Sequence, residues 1–446
     1  MLNGRSKLKL IKYKLGSDSP YSQPKNKRIL LRWLVPGIHV KRWIGLFILS
    51  ILFIDLGLAY MLRHLYITTG GLPWWTYWVT LQFISREFRA LIFGVLGIAL
   101  MIFSIFRLSR SLITPILQVD GATLAERIYT YRALTKGPKI VAIGGGTGLS
   151  TLLRGLKEYT SNLTAIVTVA DDGGSSGILI REYNTLPPGD FRQCLTALAD
   201  AEPLMTQLFQ HRFKEGSLNG HSFGNLFILA MAEVTGNFEQ AIRESGRVLA
   251  VRGKIVPSTL HNVVLCAETQ DGRRVEGESK IPVQAVAIKR VFLEPQDAKV
   301  NPEAVISLMN ADLIVVGPGS LYTSILPNLL VEGMAEAIIS SNALKVYVCN
   351  IATQPGETDG YAVSDHLQAL SDHLGRDIFD YVVVNSNLNF SLPAPWQKVI
   401  PDTYIAKRGH QPKFVYADLL DREHLTHHDP QRLAETLVKV ILKKRD

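Results

Sequence analysis

From Lys139 onward the chain alternates short apolar, β-branched runs with amphipathic helical stretches. The runs fall at 139–143, 163–169, 312–316, 344–349 and 380–384. Each is short, apolar on both faces and followed by Gly, Asn or Asp, as in strands of a parallel sheet covered on both faces. Helical periodicity at 301–310, 320–341 and 360–374 separates several of them, so right-handed βαβ units are expected. The stretch 190–250 reads as several helices and 430–443 as a closing helix. Residues 253–300 break the pattern. Strand-like runs near 261–268 and 281–293 flank the turn Gln270-Asp271-Gly272-Arg273, which predicts a small antiparallel hairpin insertion. The predicted class is α/β, a parallel sheet with helices on both faces.

Upstream the pattern differs. Trp43 to Leu62 is apolar except for Asp55, and Ala90 to Phe106 carries no charge. Each can cross a hydrocarbon layer of ~30 Å at about 1.5 Å per residue, the second barely. Trp74, Trp75, Tyr77 and Trp78 lie between them like an interfacial belt. A signal peptide is disfavoured, because 42 residues precede the first run. Asp55 is most simply a snorkelled or interhelical hydrogen-bonded acid rather than a functional one.

Charge sharpens this reading. Residues 1–42 hold eleven Lys/Arg against Asp18, so the net charge of +9 resides in the tail and the remainder is about −1. The positive-inside rule places the tail in the cytoplasm, and two crossings return the body there. The expected organisation is a basic tail (1–42), a two-helix transmembrane hairpin (43–106), a linker (107–137) and a ligand-binding domain (138–446). A near-neutral body argues against nucleic acid as a partner. Cys194, Cys266 and Cys349 are far apart and odd in number, so they suit buried thiols rather than disulfides or a zinc site.

In an open α/β sheet, ligands sit beyond the carboxyl ends of the strands. The polar clusters of this chain fall there. The first run leads into Gly144-Gly145-Gly146-Thr147-Gly148 and the second into Asp171-Asp172-Gly173-Gly174-Ser175-Ser176. Glycines admit a ligand close to the backbone, and a new helix offers free N–H groups to phosphate. The first loop departs from the dinucleotide fingerprint, since Leu149 stands where a third glycine is wanted, and no Walker-type lysine follows. Asp171 and Asp172 suit Mg²⁺ held with a nucleotide, ribose hydroxyls, or a turn cap. Asp190 suits an N-cap or a ligand contact; Arg192 suits a phosphate or a neighbouring acid.

His221 and Asn225 open another helix, and Asn225 offers both a donor and an acceptor to a base or sugar edge. Gly317-Pro318-Gly319-Ser320 begins a second strand–glycine–helix unit, with Thr323 in its first turn and Asn350 after the next strand. The candidate ligand set is Gly145, Gly146, Thr147, Gly148, Asp171, Asp172, Ser175, Ser176, Asp190, Arg192, His221, Asn225, Gly319, Ser320, Thr323 and Asn350. No catalytic residue or resident metal is assigned. His424, His427 and His428 read as solvated surface, and the repeated Ser-Asp-His-Leu at 364–367 and 371–374 as a polar helix face.

These clusters, in this order, resemble the family that unites bacterial gluconeogenesis factors (YvcK type) with 2-phospho-L-lactate transferases (CofD type). The matching segments are Gly144–Thr151, Ala170–Gly177, Pro187–Cys194, His221–Leu226, Gly317–Asn328 and Asn350–Tyr361. The wording of Gly317–Asn328 and of Thr353-Gln-Pro-Gly-Glu-Thr-Asp is closer to the gluconeogenesis-factor branch. The resemblance implies a Rossmann-like domain that binds UDP-sugars, including UDP-N-acetylglucosamine, and acts in cell shape and envelope-precursor balance on gluconeogenic carbon. With the two apolar runs it implies a multi-pass protein of the bacterial inner membrane. Envelope-synthesis regulators and a second copy of the chain are the expected partners. One departure stands out: the family's usual Gly-Arg-Leu-Arg is here Gly177-Ile178-Leu179-Ile180, leaving only Arg181 nearby.

Two other functions compete. A transferase moving a phospholactyl-type unit from a guanylyl donor to a deazaflavin would place Mg²⁺ on Asp171 or Asp172. A nicotinamide-dependent oxidoreductase is disfavoured by Leu149.

Overall fold

The computed structural model describes residues 83–113, 132–200, 203–284, 286–407 and 409–443, with scattered positions from 48 to 81. The chain divides into two compact units, one spanning Tyr21–Arg132 and one containing Ala133–Asp446. The basic tail lies outside the described residues, as do most of the first apolar run and positions 114–131 of the linker. The second apolar run lies within α1 (Arg86–Ile113). Leu91, Val95, Ile98 and Phe103 of this helix are exposed. Among the described residues, no helix is long and apolar enough to cross a membrane.

The second unit is a Rossmann-like α/β domain. Its strands are β1 (Ile140–Gly144), β2 (Leu163–Val167), β3 (Lys254–Pro257), β4 (Val264–Thr269), β5 (Arg274–Glu276), β6 (Ile288–Glu294), β7 (Leu313–Val316), β8 (Leu344–Val348), β9 (Tyr381–Asn385) and β10 (Lys413–Ala417). Seven of them form one sheet in the order β10-β9-β8-β7-β1-β2-β3. All its pairings are parallel. The five apolar runs became β1, β2, β7, β8 and β9, the interior of the sheet. Buried on both faces, β1 and β7 had to be apolar throughout.

The two edge strands escaped the pattern. Lys254 at the start of β3 is exposed, and β10 mixes exposed with half-buried positions, so neither is a continuous apolar run. The insertion also differs from a hairpin. The Gln270–Arg273 turn joins β4 to β5, and β6 pairs antiparallel with the other side of β4, giving a three-stranded sheet β5-β4-β6. With three residues, β5 is too short to register as a periodic run.

The helices after α1 are α2 (Gly146–Leu156), α3 (Gly174–Tyr183), α4 (Pro188–Leu198), α5 (Pro203–Gln210), α6 (Phe223–Thr235), α7 (Phe238–Val248), α8 (Pro302–Met309), α9 (Leu326–Leu329), α10 (Met334–Ser340), α11 (Val363–Leu374) and α12 (Pro430–Lys443). Leu149, Leu152, Leu153 and Leu156 of α2 are fully buried. Full burial of such a side chain contributes roughly 1.5–3 kcal/mol. Opposite the sheet, a Cβ on Gly155 would collide with the Pro430 carbonyl, so α12 approaches α2 at backbone distance.

Two histidine readings change. His428 is buried, its Nε2 3.2 Å from the Cys349 carbonyl. His366 in α11 is fully buried, its Nδ1 2.8 Å from Ala362 O, so that repeat is not a uniformly polar face. The three cysteines are buried and free, as expected.

The topology locates a switch point. The chain runs β1, β2, β3 in one direction, then returns to the other side of β1 as β7. Between β1 and β7 the direction of winding reverses. Ligands of open α/β sheets sit at this switch point, beyond the carboxyl ends of the strands.

Candidate functional site

The loops leaving β1 and β7 meet at the switch point. A Cβ on Gly145 would lie 2.5 Å from Asp190 Oδ2 and 2.8 Å from Thr168 Cγ2. One on Gly148 would collide with the carbonyl of Pro318 and the Cα of Gly319. Only glycine allows these strand-end loops to touch. Gly146 adopts φ 59°, a left-handed turn into α2. Thr147 is exposed beside it, and its carbonyl accepts from Ser150 Oγ at 2.9 Å. Asn350, beyond β8, locks the second loop from outside: Gly319 N donates to Asn350 Oδ1 (3.2 Å) and Asn350 Nδ2 to Gly319 O (2.9 Å). Asn328 Nδ2 donates to Gly144 O at 3.0 Å and ties α9 to the end of β1. Ser320 is half-buried before a π-turn, Leu321–Ile325, that contains Thr323.

A second cluster forms at the end of β2. Asn225 Nδ2 donates to Ser175 Oγ (3.1 Å), and Ser175 Oγ lies 3.0 Å from His221 Nδ1. Arg192 Nε donates to Asn225 Oδ1 at 2.9 Å. Ser175, His221 and Asn225 are buried. Arg192 therefore rests on an amide rather than a carboxylate, and Asn225 is a positioned element rather than a free one. Ser176 Oγ receives Gly189 N (3.2 Å), tying α3 to α4. Asp190 is not an N-cap. Pro187 holds that position, and the Asp190 carboxylate, in the first turn of α4, accepts the Gly146 N–H.

Sequence reasoning overlooked the acids facing these loops. Glu278 comes from the inserted sheet, and Glu357 from the loop after β8. Glu357 Oε1 accepts from Thr323 Oγ1 at 3.0 Å, and the nearby N–H groups of Tyr322 and Thr323 also favour the charged form of this carboxylate. Each glycine loop thus feeds a helical turn whose leading amides already meet an internal carboxylate. Burial, then neighbouring Asp171, push Asp190 up to about 7. Burial alone pushes Glu357 up to about 7. For Glu278, burial reinforced first by Asp171 and then by Asp190 pushes the carboxyl up to about 9. Asp171 is raised as well, chiefly by burial. Burial and nearby Arg212 pull the Arg192 guanidinium down. A signal for Glu278 was present in Gly277-Glu278-Ser279, but it lay inside a segment read only as hairpin. Glu357 sat inside the polar run Thr353–Thr358.

The Asp171–Asp172 pair does not fit a resident Mg²⁺. Asp172 Oδ1 accepts Ser279 N at 2.8 Å, and its other oxygen sits against Gly277, so this side chain docks the insertion. Asp171 Oδ1 accepts Gly173 N at 2.9 Å, and its carboxylate also takes Ser176 Oγ–H. Elsewhere, among the described residues, Cys266, Glu276 and Glu294 bring three ligand-type atoms together. Arg274 sits among them, 3.1 Å from Glu276 and 2.5 Å from Glu294, so this is an ion-paired cluster.

With this geometry in view, comparison with known proteins places the chain. The family model for 2-phospho-L-lactate transferase CofD matches residues 140–442. The chain belongs to the CofD family. Within it, similarity runs to the gluconeogenesis factors. The Bacillus subtilis gluconeogenesis factor is 56% identical over 250 residues, covering 56% of this chain and 79% of that one. The gluconeogenesis factor of Halalkalibacterium halodurans is 48% identical over 311 residues, 68% of this chain and 97% of its own. A Clostridium acetobutylicum relative is 42% identical over 429 residues, covering 93% of this chain and 92% of that one. The crystal structure of a UPF0052 family member from Bacillus halodurans superposes with TM-score 0.62 at 46% identity, covering 68% of this chain and 98% of that one.

Proposed function

We propose that this chain is a membrane-tethered regulator that binds a UDP-sugar such as UDP-N-acetylglucosamine at the β1/β7 switch point. It couples that ligand to cell shape and envelope-precursor balance during gluconeogenic growth. The observation that carries the reading is the meeting of the Gly144–Gly148 and Gly317–Ser320 loops at the one place where the winding of the sheet reverses. Thr147 and Ser320 flank the phosphates. Arg192, held by Asn225, and neighbouring Arg212 supply the positive charge that Ile178 and Ile180 do not. The names of the relatives support the link to gluconeogenesis. The uncharged run 90–106 and the exposed apolar side chains of α1 support insertion into the inner membrane, with tail and body cytoplasmic and the chain self-associating.

A second reading, a transferase of the 2-phospho-L-lactate type, has one observation in its favour. Asp190 and Glu357 are held at about 7, where a carboxyl is suited to proton transfer. Thermal shift of the full-length protein separates the two. UDP-N-acetylglucosamine at a hundredfold excess over Kd should stabilise by about 2.7 kcal/mol. A response confined to GTP with Mg²⁺ or to a deazaflavin would favour the transferase.

A further inference from the structure

We propose that Glu278 and Glu357 together hold a divalent cation of the oxygen-ligand type, Mg²⁺ or Mn²⁺, which fastens the inserted sheet to the rim of the main sheet. The site is formed where two backbones touch. A Cβ on Gly356 would collide with the carbonyl of Pro282, so the loop after β8 lies directly against the segment that carries Glu278. On the other side, Ser279 N is anchored to Asp172.

Glu357 is 4% exposed, and one of its oxygens, Oε1, receives Thr323. The other, Oε2, is buried without any hydrogen-bond partner. A buried carboxylate oxygen left unpaired costs several kcal/mol unless a proton or cation meets it. The charges that act most strongly on Glu278 are negative, Asp171 and Asp172 from the loop after β2, Asp190 from α4, and Glu357, with Arg192 acting on Asp171 and Asp190. Among the described residues, none of these acids pairs with a lysine or arginine.

The donor set selects the ion. Two carboxylates without sulfur or imidazole suit a hard cation, and Mg²⁺ characteristically takes one or two carboxylates and completes its shell with water. The inference does not depend on which nucleotide, if any, the cleft accepts. It also moves the cation away from Asp171–Asp172, whose oxygens are engaged by the protein.

Mn²⁺ binding to the nucleotide-free full-length protein, followed by loss of the free-ion electron paramagnetic resonance signal, tests it. Wild type should bind one Mn²⁺, displaced by Mg²⁺. Glu278→Gln and Glu357→Gln, both of which keep side-chain shape, should each weaken binding by about tenfold or more. Bound Mn²⁺ should also slow amide exchange across 277–284. Wild-type affinity in both variants, no saturable binding at millimolar Mn²⁺, or exchange indifferent to the ion would each overturn it. UDP-sugar binding in EDTA, measured alongside, reports separately on the proposed function.

Discussion

Asp190 and Gly146 are joined by a hydrogen bond from the glycine's N–H to the carboxylate, across the end of β1. The amide that would greet a phosphate at the start of α2 is already answered from within the protein. On the proposed function, a ligand entering here would meet a carboxyl whose protonation is poised near neutrality, and phosphate binding would fall to neighbouring groups such as Thr147, Ser320 and Arg192.

A pH dependence follows from that pair. The folded-state pKa of Asp190 is raised to about 7 from the ordinary aspartate value of 3.8, so the folded chain holds a proton that the unfolded chain releases. Its destabilising effect is absent below the unfolded pKa, grows as pH rises and is complete above the folded one. Asp190→Asn should therefore raise Tm at about pH 8 and change it little at about pH 4. Equal shifts at both pH values would contradict this assignment.

Asn225 joins Arg192 to Ser175 inside the fold. Asn225→Ala removes both bonds, leaving Arg192 Nε without its acceptor and buried Ser175 with His221 alone, which should cost about 1–3 kcal/mol in urea unfolding. Loss of stability below ~0.5 kcal/mol would mean the network is dispensable.

Glycines at the loops and in the helices should separate cleanly. Gly148→Ala forces a methyl into the Pro318 carbonyl and should destabilise the protein by several kcal/mol or prevent its accumulation. Gly246, inside α7, has room, with Val251 Cβ 3.7 Å from a built Cβ. Gly246→Ala should be neutral or stabilising by about 0.5–1 kcal/mol.

Restoring the family's two cations gives a test of gain. Ile178 and Ile180 are half-buried in α3, next to Arg181. Ile178→Arg with Ile180→Arg should tighten UDP-sugar binding about tenfold, since each charge-assisted bond contributes ~1.5–3 kcal/mol where it reaches phosphate. Unchanged affinity would place the diphosphate away from the start of α3.

The interior of the sheet was legible because β1, β2, β7, β8 and β9 are apolar enough to announce themselves, and the loops because Gly, Asp and Asn follow each of them. The edges β3 and β10 were not, since exposure there permits Lys254 and Lys413. Nor was Glu278. An acid looks the same on a solvated hairpin as it does facing four others, and only the docking of Ser279 on Asp172 reveals which it is. His221 and Asn225 were found from their place before an apolar helix, but the bond of each to Ser175, 46 and 50 positions away in the chain, required the fold.

Calorimetric titration of the full-length protein with UDP-N-acetylglucosamine addresses the switch-point site most directly. Wild type should bind one equivalent, with Thr147→Ala and Asn225→Ala each weaker by about fivefold or more, while Tyr416→Ala at the exposed sheet edge binds as wild type. No heat of binding to wild type, or undiminished affinity in both site variants, would contradict the account.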